Sequence, residues 1–270
     1  MKLTVLTDNN ASELLAGEWG LSILIEHGPL RILLDAGASS LAMENAQLLG
    51  VDLSSVDFAV LSHAHYDHAD GFVPLLRFFP KLRVYVRSCT AANCYAVKKG
   101  ALEYIGVAPE LTAELADRLV RVEGKIRLAE GVWLLPHDGA ERAQVGLRER
   151  MYVKKDGELT PDDFSHEQSL VFELPRGLAI FNSCSHAGAS EIIGEVSRAF
   201  PGRRIYAYAG GFHLYQKTAE EVRAFGLRLR ETGVERILTG HCTGDEAFAI
   251  LKELLGERIE QFRAGLETEL

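Results

Sequence analysis

Short apolar runs and longer amphipathic segments alternate along the chain. The runs at 2–7, 21–26 and 31–34 are rich in Leu, Ile and Val, and His27-Gly28-Pro29 separates the last two, so they are predicted to be strands. Further runs of strand length lie at 58–61, 82–86, 132–135, 169–174, 178–181, 204–209 and 236–238. Because segments with helical spacing lie between these runs, the pattern predicts an α/β protein.

Capping residues mark two of the predicted helices. Thr218 and Glu221 have the side chains of a capping box before a periodic run that reaches Leu229. Ser190 is predicted to cap a helix that continues through Phe200.

The segment around 88–165 is less regular. Its apolar residues between 111 and 119 recur at four-residue spacing, which predicts a helix. A charged stretch follows at 148–155, which we interpret as a flap over a site or as a solvated surface.

Composition and charge exclude several partners. The chain has 270 residues, is 47% hydrophobic and 25% charged, and carries a net charge of −9. Nucleic acids and anionic membranes require a basic surface, so neither is an expected partner. With no signal peptide or membrane span in the sequence, and with four Cys that lack disulfide or zinc-ribbon spacing, we expect a cytoplasmic protein.

Candidate metal ligands are concentrated at His63-Ala64-His65-Tyr66-Asp67-His68, directly after the apolar run 58–61. Two-residue alternation sends His63 and His65 to the same side, and Asp67 and His68 lie beyond the next bend. One loop is therefore predicted to provide ligands to two metal ions.

Other candidate ligands also follow apolar runs. Asp35 follows 31–34, His186 lies shortly after 178–181, and His241 follows 236–238. Since strand ends at one edge of a sheet meet in space, these side chains are predicted to converge on the histidine cluster.

The order of these motifs resembles that of the metallo-β-lactamase superfamily of binuclear metal hydrolases. A closer resemblance is to the 7,8-dihydropterin-6-methyl-4-(β-D-ribofuranosyl)-aminobenzene-5′-phosphate synthase-like branch of this superfamily. It is carried by the segments 18–22, 33–37, 61–68, 210–214 and 240–244. The resemblance implies a four-layer αββα sandwich with two mixed sheets and two metal ions at one edge. It also implies one domain over 1–270, with a helical or flap insertion around 88–165.

The resemblance also implies a role for each candidate ligand. The implied metal ligands are His63, His65 and His186 for one ion, and Asp67, His68 and His241 for the other. His186 has the alternative of contacting substrate or orienting another ligand. Asp35 is expected to orient a ligand histidine, because metal-bound imidazoles usually donate their other N–H to such a group.

Four further positions keep alternative interpretations. Cys184 occupies the place where many members of the superfamily have a bridging Asp, so it is either a bridging thiolate or a buried core residue. His213 is either a general acid toward substrate or a structural residue. His137 and His166 are interpreted as loop histidines that bind no metal.

The expected chemistry is ester hydrolysis. Two divalent ions lower the pKa of a water between them from 15.7 toward about 7, which provides a hydroxide nucleophile at neutral pH. Asp67 is expected to orient this water, His213 to protonate the leaving group, and Arg148 and Arg150 to bind an anionic substrate group. Mixed nitrogen and oxygen ligands suit Zn, with Mn or Fe as alternatives.

Three functions remain open. The favoured hypothesis is a binuclear hydrolase of a small anionic ester, most plausibly a phosphoester. The second is a pterin-pathway transferase that couples a pterin diphosphate to an aminobenzene ribofuranosyl phosphate, and the third is a metal-binding module without catalysis. The sequence is also compatible with a homo-oligomer.

Overall fold

The computed structural model describes residues 1–137 and 142–270. The strands in these residues are β1 Lys2–Thr7, β2 Ser22–His27, β3 Leu30–Leu34, β4 Phe58–Val60, β5 Val84–Arg87, β6 Cys94–Lys98, β7 Ala101–Tyr104, β8 Leu119–Val122, β9 Ile126–Ala129, β10 Val132–Pro136, β11 Met151–Lys155, β12 Glu158–Pro161, β13 Gln168–Leu174, β14 Gly177–Phe181, β15 Ile205–Ala209, β16 Arg236–Thr239, β17 Ile259–Gln261 and β18 Glu267–Glu269. The α-helices in the same residues are α1 Leu41–Leu48, α2 Tyr66–Ala69, α3 Phe72–Phe78, α4 Pro109–Thr112, α5 Arg142–Glu149, α6 Ala189–Ala199, α7 Ala219–Glu231 and α8 Asp245–Leu255.

Two large mixed sheets form the centre of the molecule. The first has the order β18-β1-β2-β3-β4-β5-β8 and the second the order β17-β16-β15-β14-β13-β10-β9. Their facing surfaces share one buried core, which includes Ile23, Ile32 and Val60 from the first sheet and Leu134, Phe172 and Phe181 from the second. The sheets therefore pack face to face.

Helices cover the outer surface of each sheet. Buried residues of α1 and α3 pack on the first sheet, and buried residues of α6, α7 and α8 pack on the second. Because the central strands are covered on both faces, they are apolar runs rather than alternating patterns. The predicted αββα architecture with two mixed sheets is confirmed.

A third, four-stranded sheet has the order β12-β11-β6-β7. It forms within the segment 88–165, which also gives β8, β9 and β10 to the large sheets, while 138–141 lie outside the described residues. The helix predicted between 111 and 119 is wrong beyond α4, because Leu119 pairs with Val84 as the first residue of β8. The division of the chain into one domain with an insertion stays a prediction.

The helix starts were predicted with mixed success. The capping box is confirmed, since the Thr218 side chain accepts from the Glu221 backbone N–H and the Glu221 carboxylate accepts from the Thr218 N–H. The cap at Ser190 is wrong, because α6 already begins at Ala189 after Gly188, whose φ is +90°. In the described part of the chain, the helices are all too short or too polar to cross a membrane.

Candidate metal centre

The predicted ligands come together because five strands, parallel to one another within each sheet, end at one edge of the sandwich. Leu34 of β3 is in register with Val60 of β4, and in the other sheet Phe181 of β14, Ala209 of β15 and Leu238 of β16 are neighbours. The chain segments that leave these strands carry the site: Asp35, His63 to His68, Cys184 to His186, His213 and His241.

One group of ligand atoms belongs to His63, His65 and His186, and these atoms lie within 4.8 Å of one another. We call this group the first metal position. The His63 and His65 rings are 4.6 Å apart, as the two-residue alternation predicts, and the rings of His63 and His186 are 5.0 Å apart. All three side chains are buried.

Ring nitrogens at the first metal position have no hydrogen-bond partner among the described residues. These buried atoms are Nε2 of His63, Nε2 of His65 and both ring nitrogens of His186. Burial lowers the pKa of His65 to about 3 and holds the pKa values of His63 and His186 well below their ordinary value. Neutral imidazoles with unpartnered nitrogens are costly in a protein interior, and a divalent ion would satisfy them.

The tautomer of His63 is fixed by its neighbours. The Ser62 hydroxyl donates to Asp35 Oδ2 at 2.7 Å, so it accepts from His63 Nδ1, which lies 2.8 Å away. The Nε2 atom of His63 therefore carries a lone pair, which is the form that binds a metal.

A second group of ligand atoms belongs to Asp67, His68 and His241. We call it the second metal position. Nε2 of His241 lies 3.1 Å from Nε2 of His68 and 3.3 Å from Oδ2 of Asp67. Asp67 and His68 lie on α2, a single helical turn that starts just after His65, so one short segment supplies both metal positions.

The outer nitrogens of both histidines at the second metal position have fixed acceptors. His68 Nδ1 donates to Asp35 Oδ2 at 2.7 Å, and His241 Nδ1 donates to Asn9 Oδ1 at 2.9 Å. Their Nε2 atoms therefore converge on one point together with the Asp67 carboxylate. A proton can join only two of these atoms, whereas a metal ion can bind all three.

Electrostatics at the second metal position favour a bound cation. Burial opposes the charged form of both Asp67 and His241, yet each stabilises the charge of the other. The pKa of Asp67 is consequently well below its ordinary value, and the pKa of His241 is raised to about 9. Negative charge on Asp67 thus stabilises positive charge at the place where an ion would bind.

Two features of the support were not predicted. The Glu167 carboxylate accepts from the backbone N–H groups of His186 and Ala187 at 2.8 and 2.9 Å, which fixes the loop that carries His186. Asn9 and Asp8 hold His241, with Asp8 Oδ2 accepting from its backbone N–H at 2.9 Å. Glu167 directly precedes a strand, and this position in the sequence could have identified it as a residue near the site. Asn9, in contrast, becomes a neighbour of His241 only through the fold.

His166 and His137 lie in loops, and both are buried. His166 Nδ1 accepts from the Ala64 backbone N–H at 3.1 Å, so its Nε2–H faces Asp162 Oδ2 at 3.1 Å. This bond pattern gives His166 a supporting role behind His65. His137 bonds Glu195 and the Ser169 hydroxyl, both at 2.5 Å.

Backbone strain is concentrated at the site. Asp35, Ser185, His213 and His241 have φ values of +57°, +54°, +52° and +48°. The left-handed region costs a residue other than Gly on the order of 1–3 kcal/mol, so the surrounding contacts must hold these conformations.

Two cavities meet beside the metal positions. The larger, of about 330 Å³, is lined by residues that include Arg148, Glu149, His186, His213, Lys217 and Arg228. The smaller, of about 40 Å³, lies over the metal positions beneath Trp19 and Tyr215, whose rings are 4.9 Å apart. His186 and His213 line both cavities. Arg150 lines neither of these two cavities.

His213 lies between the cavities. Its Nδ1 is 3.7 Å from Glu149 Oε2, and its ring centroid is 4.7 Å from that of His186. Burial lowers the pKa of His213 to about 4, so the ring is neutral at neutral pH. It can therefore act toward a ligand as a hydrogen-bond donor.

Comparison with known proteins supports the predicted resemblance. The model of the metallo-β-lactamase superfamily matches residues 20–149. The crystal structure of Tm1679, described as a metal-dependent hydrolase of the β-lactamase superfamily, superposes with a TM-score of 0.84 and 29% identity, over 100% of this chain and 99% of that chain. The predicted resemblance to the metallo-β-lactamase superfamily is therefore confirmed, and the chain has the fold of its metal-dependent hydrolases.

Proteins similar to this chain include two of Methanocaldococcus jannaschii. One is named 7,8-dihydropterin-6-methyl-4-(β-D-ribofuranosyl)-aminobenzene-5′-phosphate synthase and is 27% identical over 262 residues, covering 91% of this chain and 88% of that protein. The other is uncharacterized and 26% identical, covering 93% of this chain and 94% of that protein. A diphosphatase of the PhnP family shares the fold, with a TM-score of 0.56 and 14% identity over 100% of this chain and 97% of that chain.

Proposed function

We propose that this protein is a binuclear metal-dependent hydrolase of a small anionic ester, with a phosphoester as the substrate class. The observation that carries the proposal is the convergence of two donor sets. Unpartnered imidazole nitrogens fill the first metal position, and two Nε2 atoms face a carboxylate in the second. Donor atoms arranged in this way fit two divalent ions, with Zn as the expected metal.

Asp67 and His213 have different roles in the proposed reaction. When bound, two divalent ions would lower the pKa of a water toward about 7 and neutralise charge on the attacked group. Asp67, which lines the smaller cavity, would accept a hydrogen bond from the attacking water. His213, which lines both cavities, donates a hydrogen bond to the leaving oxygen.

The larger cavity supports an anionic substrate. Its charged lining consists of Arg148, Lys217 and Arg228 against Glu149 and Glu221, so three positive charges exceed two negative ones. Lys217 Nζ already bonds Glu149 Oε1 at 2.7 Å. A local positive excess in a chain of net charge −9 favours a small anion and disfavours nucleic acid.

Apolar residues complete the cavity. Phe212, Leu214 and Phe225 lie in its lining and give a surface for the part of the substrate that does not react. A volume of about 330 Å³ suits a small molecule.

Reconstitution tests the function. The purified chain is stripped with a chelator, reloaded with Zn or Mn, analysed for metal content, and assayed with chromogenic phosphodiesters, phosphomonoesters and carboxyesters. We expect two ions per chain and metal-dependent turnover of a phosphoester. Fewer than one ion per chain, with no turnover of any ester, would refute the proposal. Two bound ions with no turnover of any ester would favour a non-catalytic metal-binding role.

A second candidate rests on the 27% identical relative named as a synthase. In that case the protein would couple a pterin diphosphate to an aminobenzene ribofuranosyl phosphate. Incubation with both substrates and mass spectrometry of the products distinguishes the two functions. Coupled product favours the transferase, and release of diphosphate with no coupled product favours the hydrolase.

A further inference from the structure

Two buried thiols lie beside the second metal position. Cys184 follows β14, and Cys242 lies in the 3-10 turn His241–Thr243 directly after His241. Both are free, and their side chains are 3% and 1% exposed. The Cys184 Sγ atom is 3.2 Å from His68 Nε2, which places the pair among the candidate ligand atoms.

The distance between the sulfurs excludes a disulfide. The two Sγ atoms are 3.4 Å apart, with Cys242 Sγ donating to Cys184 Sγ. A disulfide requires about 2.05 Å. Two thiolates on one Zn, with bonds of about 2.3 Å at the tetrahedral angle, are about 3.8 Å apart. The observed spacing is nearer to the shared ion than to the disulfide.

The fold provides a specific place for Cys242. A Cβ atom on Gly211 would lie 2.5 Å from the Cys242 Sγ and 2.9 Å from the Ser183 carbonyl oxygen, so a larger residue would displace the thiol. The backbone N–H of His213 donates to the same sulfur at 3.3 Å. A backbone donor directed at sulfur stabilises the thiolate, which is the form that binds a metal.

We propose that Cys242 is a terminal thiolate ligand of the second metal position and that Cys184 bridges the two metal positions. Ligand-type atoms of Cys184, Cys242 and His241 lie within 4.8 Å of one another, and so do those of Cys184, His63 and His68. Cys184 is thus common to both groups. The assignment rests on the proposed metal centre and adds two soft donors to it.

Two thiolates change which metal the site prefers. Sulfur ligands favour Zn and other thiophilic ions over Mg and Mn, which prefer oxygen. We therefore expect the second metal position to retain Zn against a large excess of Mn, whereas the three imidazoles of the first metal position discriminate less.

Cobalt replacement tests the thiolates without any assay of turnover. The wild-type chain and the variants Cys184→Ser, Cys242→Ser, Cys94→Ser and Cys89→Ser are loaded with Co²⁺, and the near-ultraviolet absorption from thiolate-to-cobalt charge transfer is recorded. Because a bridging thiolate forms two of the three cobalt–sulfur bonds, Cys184→Ser is expected to lower the band by about two thirds, Cys242→Ser by about one third, and their combination to abolish it. Cys94→Ser, in a buried site, and Cys89→Ser, in an exposed one, are expected to leave it unchanged.

Results that contradict the thiolate assignment can be distinguished from results that contradict the metal centre itself. A full band in Cys242→Ser, or a band lost only in Cys94→Ser, would overturn the assignment while leaving the metal centre intact. Wild-type protein that binds no Co²⁺ would overturn both. For variants that fail to fold, X-ray absorption at the Zn edge of the wild-type protein decides, since sulfur scatterers at about 2.3 Å support the assignment and a nitrogen and oxygen shell alone refutes it.

Discussion

The two metal positions lie side by side but hold their donor atoms differently. At the first metal position, neutral imidazole nitrogens converge without hydrogen-bond partners among the described residues. At the second, Asp67 is in contact with both histidines, and Cys184 contacts His68. The first position therefore offers lone pairs without charge, and the second carries negative charge that a cation must balance.

The residues that hold the ligands in place also differ between the two metal positions. At the second metal position, Asp35 and Asn9 contact the ligand rings directly. At the first metal position, the Ser62 hydroxyl contacts the His63 ring, but Glu167 fixes His186 only through backbone N–H groups. Loss of a support should consequently alter ligand basicity at the second position, and ligand placement at the first.

The largest effect is expected from His68→Ala. This substitution removes one Nε2 from the second metal position and leaves His63, His65 and His186 in place. We expect selective loss of one metal ion and a decrease in turnover on the order of a hundredfold or more, because half of the charge stabilisation disappears. Elemental analysis and steady-state kinetics measure the two effects.

His63→Ala is the matched control for His68→Ala, because it removes a ligand from the first metal position instead of the second. It should deplete the other ion and leave the second metal position loaded. Both variants should retain the fold, since so large an apolar core provides most of the stability. Two ions and near-wild-type turnover in His68→Ala would show that His68 is not a metal ligand.

Asp35→Asn tests the support of the second metal position. Asp35 accepts from His68 Nδ1 and from the Ser62 hydroxyl and backbone N–H. Asn tolerates the left-handed φ of this residue but lacks the charge, so metal affinity should fall about 10–100-fold. Competition with a chromogenic chelator measures this affinity. A loss confined to the first position would contradict the assignment.

Glu167→Gln tests the support of the first metal position. The substitution replaces one of two carboxylate acceptors with an amide N–H donor, which cannot accept from Ala187 or His186. We expect about a tenfold lower affinity at the first position, with the second unchanged. Glu173→Gln is the control, because Glu173 lies on β13, the strand that follows Glu167, but bonds Arg203 and Trp133 away from the site. Equal effects of the two substitutions would remove Glu167 from the site.

The sequence predicted the ligands better than their supports. Asp35, His186 and His241 follow apolar strands, and parallel strand ends must meet at one edge, so their convergence could be inferred from local pattern. The contact between Asn9 and His241 joins residues 232 positions apart, and no local pattern encodes it. The contact between Cys242 and Cys184 was similarly missed, since these residues are 58 positions apart and meet only through the fold.

The middle of the chain was the least predictable. Spacing between 111 and 119 is helical, yet Leu119 joins a strand because the edge of the first sheet offers it backbone partners in β5. The charged stretch 148–155 contains the end of α5 and the whole of β11. Tertiary pairing overrode local preference at both places.

The smallest expected effect is a difference in KM between substitutions of the two arginines predicted to bind substrate. Arg148 lines the larger cavity, which reaches His186 of the first metal position, whereas Arg150 does not line it. Arg148 is exposed, so its charge should contribute only about 0.4–1 kcal/mol to substrate binding, equivalent to about a two- to fivefold increase in KM for Arg148→Ala. Arg150→Ala should leave KM unchanged, and neither substitution should change metal content. Steady-state kinetics at low and high salt measures the difference, which should shrink as salt screens the charge. Equal KM values for the two variants would mean that the substrate's anionic group does not occupy the cavity beside the first metal position.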